Sequence, residues 1–152
     1  MLFTTNGLVN NSNFRGDSPQ TQLAKMPPAK KLRDVLFRCE SEEHALEKIS
    51  AENKKLICLD LHLAWCGRCD NMEQNYRNLH VKYDEDFVRM EFYSCVEEFI
   101  PQEILSKLKC GPLTCRPRFV LYFEGEKRDE IDGADFTKLD ASIGKNLPQL
   151  DD

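Results

Sequence analysis

The sequence predicts an α/β domain in which helices cover both faces of a central mixed β-sheet. Apolar segments of strand length alternate with segments of helical period along the first half of the chain, which favours parallel strands joined by crossover helices. A short turn over residues 124–126 separates two strand-like segments and is typical of an antiparallel hairpin. A chain of 152 residues with 41% hydrophobic and 31% charged content is sufficient for one packed domain. The predicted order of elements is β-α-β-α-β-α-β-β-α.

The first half of this order begins with a short strand over residues 35–39 and a helix that Ser41 can cap. Residues 56–61 are almost continuously apolar, which is typical of a parallel strand buried on both faces. After Cys66, apolar residues recur every three or four positions over residues 72–83, and this spacing predicts a helix.

The second half adds the third strand and the hairpin. Apolar residues alternate with charged ones over residues 88–92, which predicts a strand. Residues 101–108 begin with proline, which suits the first turn of a helix. Residues 119–123 and 127–131 are predicted to be the two strands of the hairpin, and a last helix is expected over residues 136–147.

Charge divides the chain into two parts. The formal net charge is −5 at pH 7, yet residues 1–33 carry far more basic than acidic side chains. We predict a flexible basic tail over residues 1–33, a folded acidic domain over residues 34–149 and a short C-terminal end over residues 150–152. The composition of the tail leaves three interpretations open: a disordered extension, an arm that binds a partner, or an organelle transit peptide.

Composition also excludes several classes of function. The apolar runs are far shorter than the roughly 18 residues that a membrane span needs, so we expect no membrane partner. An acidic chain with no dominant basic stripe is a poor candidate for binding nucleic acid. The first residues lack the pattern of a secretory signal and the seven cysteines are an odd number, so we expect a cytoplasmic protein with reduced thiols.

The candidate chemistry lies in the segment Trp65-Cys66-Gly67-Arg68-Cys69, which follows a buried strand and opens a helix. Two cysteines with two residues between them are typical of a redox dithiol in this context. The unpaired amides at the start of a helix would stabilise a thiolate at Cys66, and Arg68 would add positive potential. Cys66 is therefore the predicted nucleophile, and Cys69 is the predicted resolving thiol that attacks a mixed disulfide.

Two other interpretations of this cysteine pair remain open. Cys110 and Cys115 could complete a zinc site with it, although four residues separate them and they lie far along the chain. The pair could instead be structural thiols of the core. We expect neither a metal nor another cofactor, because the dithiol is itself the redox group. Cys110 and Cys115 could pair or react, but we expect them to be unreactive thiols.

A Trp-Cys-Gly-x-Cys segment that follows a strand containing Asp60 resembles the thioredoxin family, and the resemblance covers about residues 34–149. It implies a thioredoxin fold in which Asp60, buried in the strand before the motif, is the proton acceptor that assists Cys69. It also implies a cis-proline that faces the dithiol, for which Pro117 is the candidate, and a glycine after the last strand, which Gly133 matches.

The resemblance further implies how a partner binds. The backbone at Arg116 and Pro117 would align an extended partner segment beside the nucleophile, and Trp65 would shape the surface around it. The sequence departs from the family at Arg68, which replaces the usual proline between the cysteines. Together Arg68, Arg116 and Arg118 would form a basic rim for an acidic partner segment, or else be three solvated arginines that happen to cluster.

A narrower resemblance is carried by the strand Cys115–Phe123, the turn at Gly125 and the run Glu130–Asp135 that precedes a helix. These segments are similar to the thioredoxin-like light chains of ciliary outer-arm dynein and to the thioredoxin modules fused to nucleoside-diphosphate-kinase-like domains in ciliary proteins. This resemblance implies a subunit that binds a dynein heavy chain, or another protein partner, in the axoneme of the cilium. The alternative is a free cytosolic protein-disulfide reductase that receives electrons from a thioredoxin reductase.

Overall fold

The fold is described from a computed structural model, which covers residues 34–66 and 72–150. The predicted tail over residues 1–33 lies outside the described residues, and so do Arg68 and Cys69 of the predicted dithiol segment. Within the described part of the chain, no helix combines the length and the apolar character that crossing a membrane requires.

The described elements follow the predicted order, with strands and helices alternating before a closing hairpin. The five strands are β1 Leu36–Arg38, β2 Leu56–His62, β3 Met90–Val96, β4 Arg118–Phe123 and β5 Glu126–Asp132. The helices are α1 Glu42–Lys48, α2 Glu73–Tyr83, α3 Gln102–Leu105 and α4 Phe136–Asn146, with single 3-10 turns at Ala64–Cys66 and Glu97–Phe99. The Ser41 hydroxyl accepts a hydrogen bond from the His44 amide at 3.1 Å, which confirms the predicted cap of α1.

The sheet is mixed, as the alternation and the hairpin together predicted. Its strand order is β1-β3-β2-β4-β5, with β3 parallel to both β1 and β2. Strand β4 runs antiparallel to β2, and β5 runs antiparallel to β4. The turn between β4 and β5 places both Glu124 and Gly125 at positive φ (51° and 82°), which is the geometry of a tight hairpin turn. Strand β2 is therefore central, and its carboxyl end lies beside the first residue of β4.

Alternate residues of β2 enter two separate cores, one on each face of the sheet. Leu56 and Cys58 pack under α2 and α4, whereas Ile57 and Leu59 pack under α1. Buried residues of the first core include Tyr76, Leu79, Phe92, Phe119, Leu139 and Ile143. Buried residues of the second core include Ala45, Ile49, Tyr93, Cys95, Leu108 and Val120. This two-sided burial explains why the sequence of β2 is almost continuously apolar.

The third strand begins and ends later than the alternation over residues 88–92 predicts. The carboxylate of Asp84 accepts hydrogen bonds from the amides of Val88, Arg89 and Met90 at 3.0, 2.7 and 2.8 Å. These bonds hold residues 88 and 89 in a turn, so the strand starts at Met90. It continues to Val96 because it lies between β1 and β2 and pairs with both.

Candidate active site

Cys66 lies just beyond the carboxyl end of β2, in a single 3-10 turn over Ala64–Cys66. Its amide donates to the Leu63 carbonyl oxygen at 3.1 Å, which turns the chain away from the sheet as the strand ends. In open α/β sheets, sites lie at this end of the strands. Helix α2 is described from Glu73 onward, so the helix-terminus environment predicted for Cys66 remains a prediction.

The Sγ atom of Cys66 is bonded to that of Cys115 across 49 residues of sequence. Their Cα atoms are 5.7 Å apart, inside the range that disulfides span. The sheet explains why these two cysteines are close. Leu61 pairs with Arg118 in the antiparallel β2/β4 ladder, so the loop before β4 lies beside the loop after β2. The prediction that Cys115 is unreactive is therefore wrong, because the sequence pattern does not contain this pairing of strands.

Asp60 is buried in β2, as the resemblance implied, and is only 6% exposed. The Tyr76 hydroxyl of α2 donates to its Oδ2 atom at 2.7 Å. Asp60 shares the sheet face of Leu56 and Cys58 because strand side chains alternate, and it therefore faces the first core. Burial favours a role in proton transfer over that of a surface acid, and that role stays a prediction.

Tyr76, which lies within the periodic apolar segment predicted over residues 72–83, is a hydrogen-bond partner of Asp60. Its ring packs against Phe92 at 5.0 Å and Phe136 at 5.5 Å between centroids, which fixes the position of its hydroxyl. A buried tyrosine needs a hydrogen-bond partner for its hydroxyl, and the adjacent buried carboxylate supplies it. That requirement is the signal that could have linked Tyr76 to Asp60.

The loop that carries Pro117 is attached to the end of the hairpin. The Gly133 amide donates to the Pro117 carbonyl oxygen at 2.8 Å, and Gly133 has a φ of 89°, a conformation that favours glycine directly after the last strand. The described residues contain no cis peptide bond, so the expected cis geometry at Pro117 is wrong for this structure. A proline bond adopts the cis form only where its tertiary surroundings select that minority conformer, which the local sequence does not specify.

The predicted basic rim is also wrong in one of its three members. Arg118 is 1% exposed and pairs with Glu130 and Asp132 across the β4/β5 ladder, each at 3.1 Å. Its guanidinium also donates to the carbonyl oxygens of Gly111 and Pro112 at 2.8 and 3.2 Å. Arg118 therefore fastens the loop before β4 to the hairpin, and it is not a solvated arginine.

Two members of the predicted surface remain outside the core. The side chain of Arg116 is 72% exposed and lies 3.9 Å from a carboxylate oxygen of Asp132. Trp65, next to Cys66, is 74% exposed, which is unusual for so large an apolar side chain. Cys66 is thus bordered by an exposed indole on its own turn and by an exposed guanidinium next to Cys115.

Glu130 is the acidic centre of the cluster around Arg118. Burial alone would raise its pKa, but hydrogen bonds from Lys127 and from the Cys110 and Lys109 amides outweigh this effect and lower the pKa to about 2. Cys110 is exposed, yet its hydrogen bond to Glu130 raises the pKa of its thiol. A thiol that stays protonated is a weak nucleophile, which supports the prediction that Cys110 is unreactive.

Acid should weaken the fold through Glu130. Because its folded pKa is depressed, its stabilising contribution is present above the ordinary value of 4.5 and is lost as pH falls toward about 2. Between pH 4.5 and about 2, the free energy of unfolding of wild type should fall by up to about 2 kcal/mol more than that of Glu130→Gln, after allowance for screening. Urea unfolding at a series of pH values measures the difference, with Glu126→Gln in the same hairpin as the control. If the free energy of unfolding fell equally with pH in wild type and in Glu130→Gln, the expectation would be contradicted.

The fold and the site define a class: α/β proteins with a disulfide-bonded cysteine at the end of a central strand and a buried carboxylate in that strand. Comparison with known proteins identifies the family. The chain is 30% identical to the thioredoxin of Mus musculus over 105 residues, covering 68% of this chain and 91% of the relative. It is 28% identical to the thioredoxin of Homo sapiens over 112 residues, covering 73% and 98%. The chain belongs to the thioredoxin family.

Solved structures agree on the fold. A thioredoxin from Nicotiana alata matches with a TM-score of 0.57 and 20% identity, covering 80% of this chain and all of that one. Thioredoxin O2 from Arabidopsis thaliana, in its oxidised state, matches with a TM-score of 0.54 and 21% identity, covering 77% and 98%. No family model matches the chain. The predicted thioredoxin fold is confirmed, and the chain is a thioredoxin-like redox protein.

Proposed function

We propose that this protein exchanges disulfides with a protein partner through Cys66 and Cys69, and that it does so as a light-chain subunit of axonemal outer-arm dynein. The observation that carries the exchange reaction is the placement of Cys66 at the end of β2, bonded to a second cysteine and following a strand that holds the buried Asp60. Cys66 is half-buried and not enclosed in either core, which supports access of a partner sulfur to it, the requirement of exchange.

The proposed reaction has two steps. The Cys66 thiolate attacks one sulfur of a partner disulfide, forming a mixed disulfide and releasing the other partner sulfur as a thiolate. The Cys69 thiol then loses its proton to Asp60 and attacks the Cys66 sulfur, so that the partner leaves as a second thiolate. The partner gains two electrons and the dithiol becomes a disulfide, which a reductase must reduce. The reaction requires neither a metal nor another cofactor.

The proposed partner surface surrounds Cys66. Trp65 would contact apolar parts of an extended partner segment, and the exposed Arg116 would contact acidic ones. The backbone at Pro117 would run alongside that segment. Since Arg118 is buried, Arg116 is the member of the predicted basic rim whose charge faces solvent in the described part of the chain.

The dynein assignment rests on the resemblance of Cys115–Phe123 and Glu130–Asp135 to dynein light chains, and it places the protein in the cytoplasm and the ciliary axoneme. Co-sedimentation tests it: the protein should migrate with the dynein heavy chains in a salt extract of axonemes. Cys66→Ser in the same extract shows whether attachment depends on the thiol. If the protein were recovered wholly in the membrane-free soluble fraction of ciliated cells, the subunit proposal would be contradicted. The exchange reaction would not be affected by that result, because it is tested by a separate assay.

A free protein-disulfide reductase is the second candidate, and one observation favours it. The thioredoxins of Mus musculus and Homo sapiens are matched over 91% and 98% of their own lengths, so the similarity spans almost the whole of those proteins. In this case the protein would reduce insulin disulfides with repeated turnover when a thioredoxin reductase supplies electrons, without a heavy chain. Exchange that stops after one turnover in that mixture would contradict the reductase role.

A further inference from the structure

We propose that Cys115 is a second resolving thiol for Cys66, in addition to Cys69. This inference rests on the proposed exchange at Cys66 and adds a residue to it. The motif assigns the resolving role to Cys69 alone, yet Cys115 is the residue that the structure bonds to the Cys66 sulfur.

The closeness of Cys66 and Cys115 is built into the fold. Residue Leu61 of β2 pairs with Arg118 of β4, which sets the two site loops side by side. The Arg118 guanidinium then binds the Gly111 and Pro112 carbonyl oxygens, so the loop that holds Cys115 is fastened at its start as well as at its end. A Cα separation of 5.7 Å allows the bond to form without movement of either backbone.

The other cysteines in the described part of the chain are unsuited to this role. Cys39, Cys58 and Cys95 are buried in the two cores, whereas Cys66, the sulfur that a resolving thiol must attack, belongs to neither core. Cys110 is exposed, but its hydrogen bond to Glu130 raises the pKa of its thiol. Cys115 combines solvent exposure with direct contact to the Cys66 sulfur.

The proposed step begins from the mixed disulfide between Cys66 and the partner. The Cys115 thiol loses its proton to solvent and its sulfur attacks the Cys66 sulfur; the Cys66–Cys115 bond forms as the bond between Cys66 and the partner breaks. The partner leaves as a thiolate and takes up a proton, having gained two electrons from the cysteine pair. The Cys69 thiolate can next attack Cys66, which forms the Cys66–Cys69 disulfide and frees Cys115 without an external oxidant.

This scheme changes what removal of Cys69 should do. If Cys69 were the single resolving thiol, Cys69→Ser would trap the mixed disulfide. With Cys115 beside Cys66, the intramolecular attack still occurs and the adduct is released. A stable trap should then require removal of both cysteines.

The test uses the full chain, reduced and then mixed with insulin as the disulfide probe, followed by acid quenching, alkylation and non-reducing electrophoresis. We expect at least about tenfold more Cys66-dependent adduct in Cys69→Ser/Cys115→Ser than in Cys69→Ser, because intramolecular attack far outpaces bimolecular release. Cys69→Ser/Cys110→Ser is the matched control and should behave like Cys69→Ser. Peptide mapping of oxidised Cys69→Ser should find the Cys66–Cys115 linkage.

The outcomes separate this inference from the proposed function. Equal adduct in Cys69→Ser and in Cys69→Ser/Cys115→Ser would overturn the resolving role of Cys115 while supporting exchange at Cys66. Oxidised Cys69→Ser without a Cys66–Cys115 linkage would overturn it as well. A lack of Cys66-dependent adduct in every variant would overturn the exchange function and this inference with it.

Discussion

Cys66→Ser should lower the rate of insulin-disulfide reduction by at least about a hundredfold, a loss typical of removing a covalent catalytic residue. A serine hydroxyl is not ionised near neutral pH and is a poor nucleophile toward sulfur. Both proposed resolving thiols, Cys69 and Cys115, act on the Cys66 sulfur, so neither can replace it as the first nucleophile. The rate is measured with dithiothreitol as the electron donor, which removes any dependence on a reductase.

Cys110→Ser is the control for this experiment. It removes an exposed thiol whose pKa is raised by its hydrogen bond to Glu130, and it should leave the rate within about twofold of wild type. Thermal unfolding of both variants establishes that they are folded. If Cys66→Ser kept most of the wild-type rate, the nucleophile would have to be a different cysteine.

Arg118→Leu should destabilise the fold by about 3–5 kcal/mol, the range observed when one partner of a buried ion pair is removed. Arg118 and Glu130 have side chains that are each 1% exposed, so leucine would leave a buried carboxylate without this cation. The carbonyl oxygens of Gly111 and Pro112 would lose their donor as well. The free energy of unfolding is measured by urea denaturation at pH 7.

Arg128→Leu is the matched control, since it makes the same substitution on β5 at the surface. Its side chain is 37% exposed and its ion pair with Glu126 spans 3.6 Å, so the change should cost less than about 0.5 kcal/mol. Acid provides a second check. The difference in free energy of unfolding between wild type and Arg118→Leu should shrink as Glu130 becomes protonated between pH 4.5 and about 2. If this difference were small, or constant with pH, Arg118 would contribute by packing and not by charge.

The same substitution connects stability with the site. Arg118 holds the loop before β4 against the hairpin, and that loop carries Cys115. Loosening it increases the conformational freedom that must be lost when the Cys66–Cys115 disulfide forms. Oxidised Arg118→Leu should therefore yield less of this linkage than oxidised Arg128→Leu, as measured by peptide mapping.

Some features of the site could be predicted because their signals are local. The apolar run of β2 indicates a strand buried on both faces, and the position of Asp60 within it indicates a buried carboxylate. The segment that begins at Trp65 lies where that strand ends, which predicts a reactive cysteine at the edge of the sheet. Gly133 follows the last strand at a positive φ that favours glycine.

The chain's own sequence therefore determined the order of elements, the central strand and the location of Cys66, because each follows from periodicity or from neighbouring residues. Only the tertiary structure decided that Cys115 meets Cys66 and that Arg118 is buried against Glu130. Both contacts depend on β4 lying antiparallel beside β2 and on its ladder with β5. Strand neighbours and register arise from the packing of the whole sheet, and an exposed and a buried arginine beside the same proline look alike in the sequence.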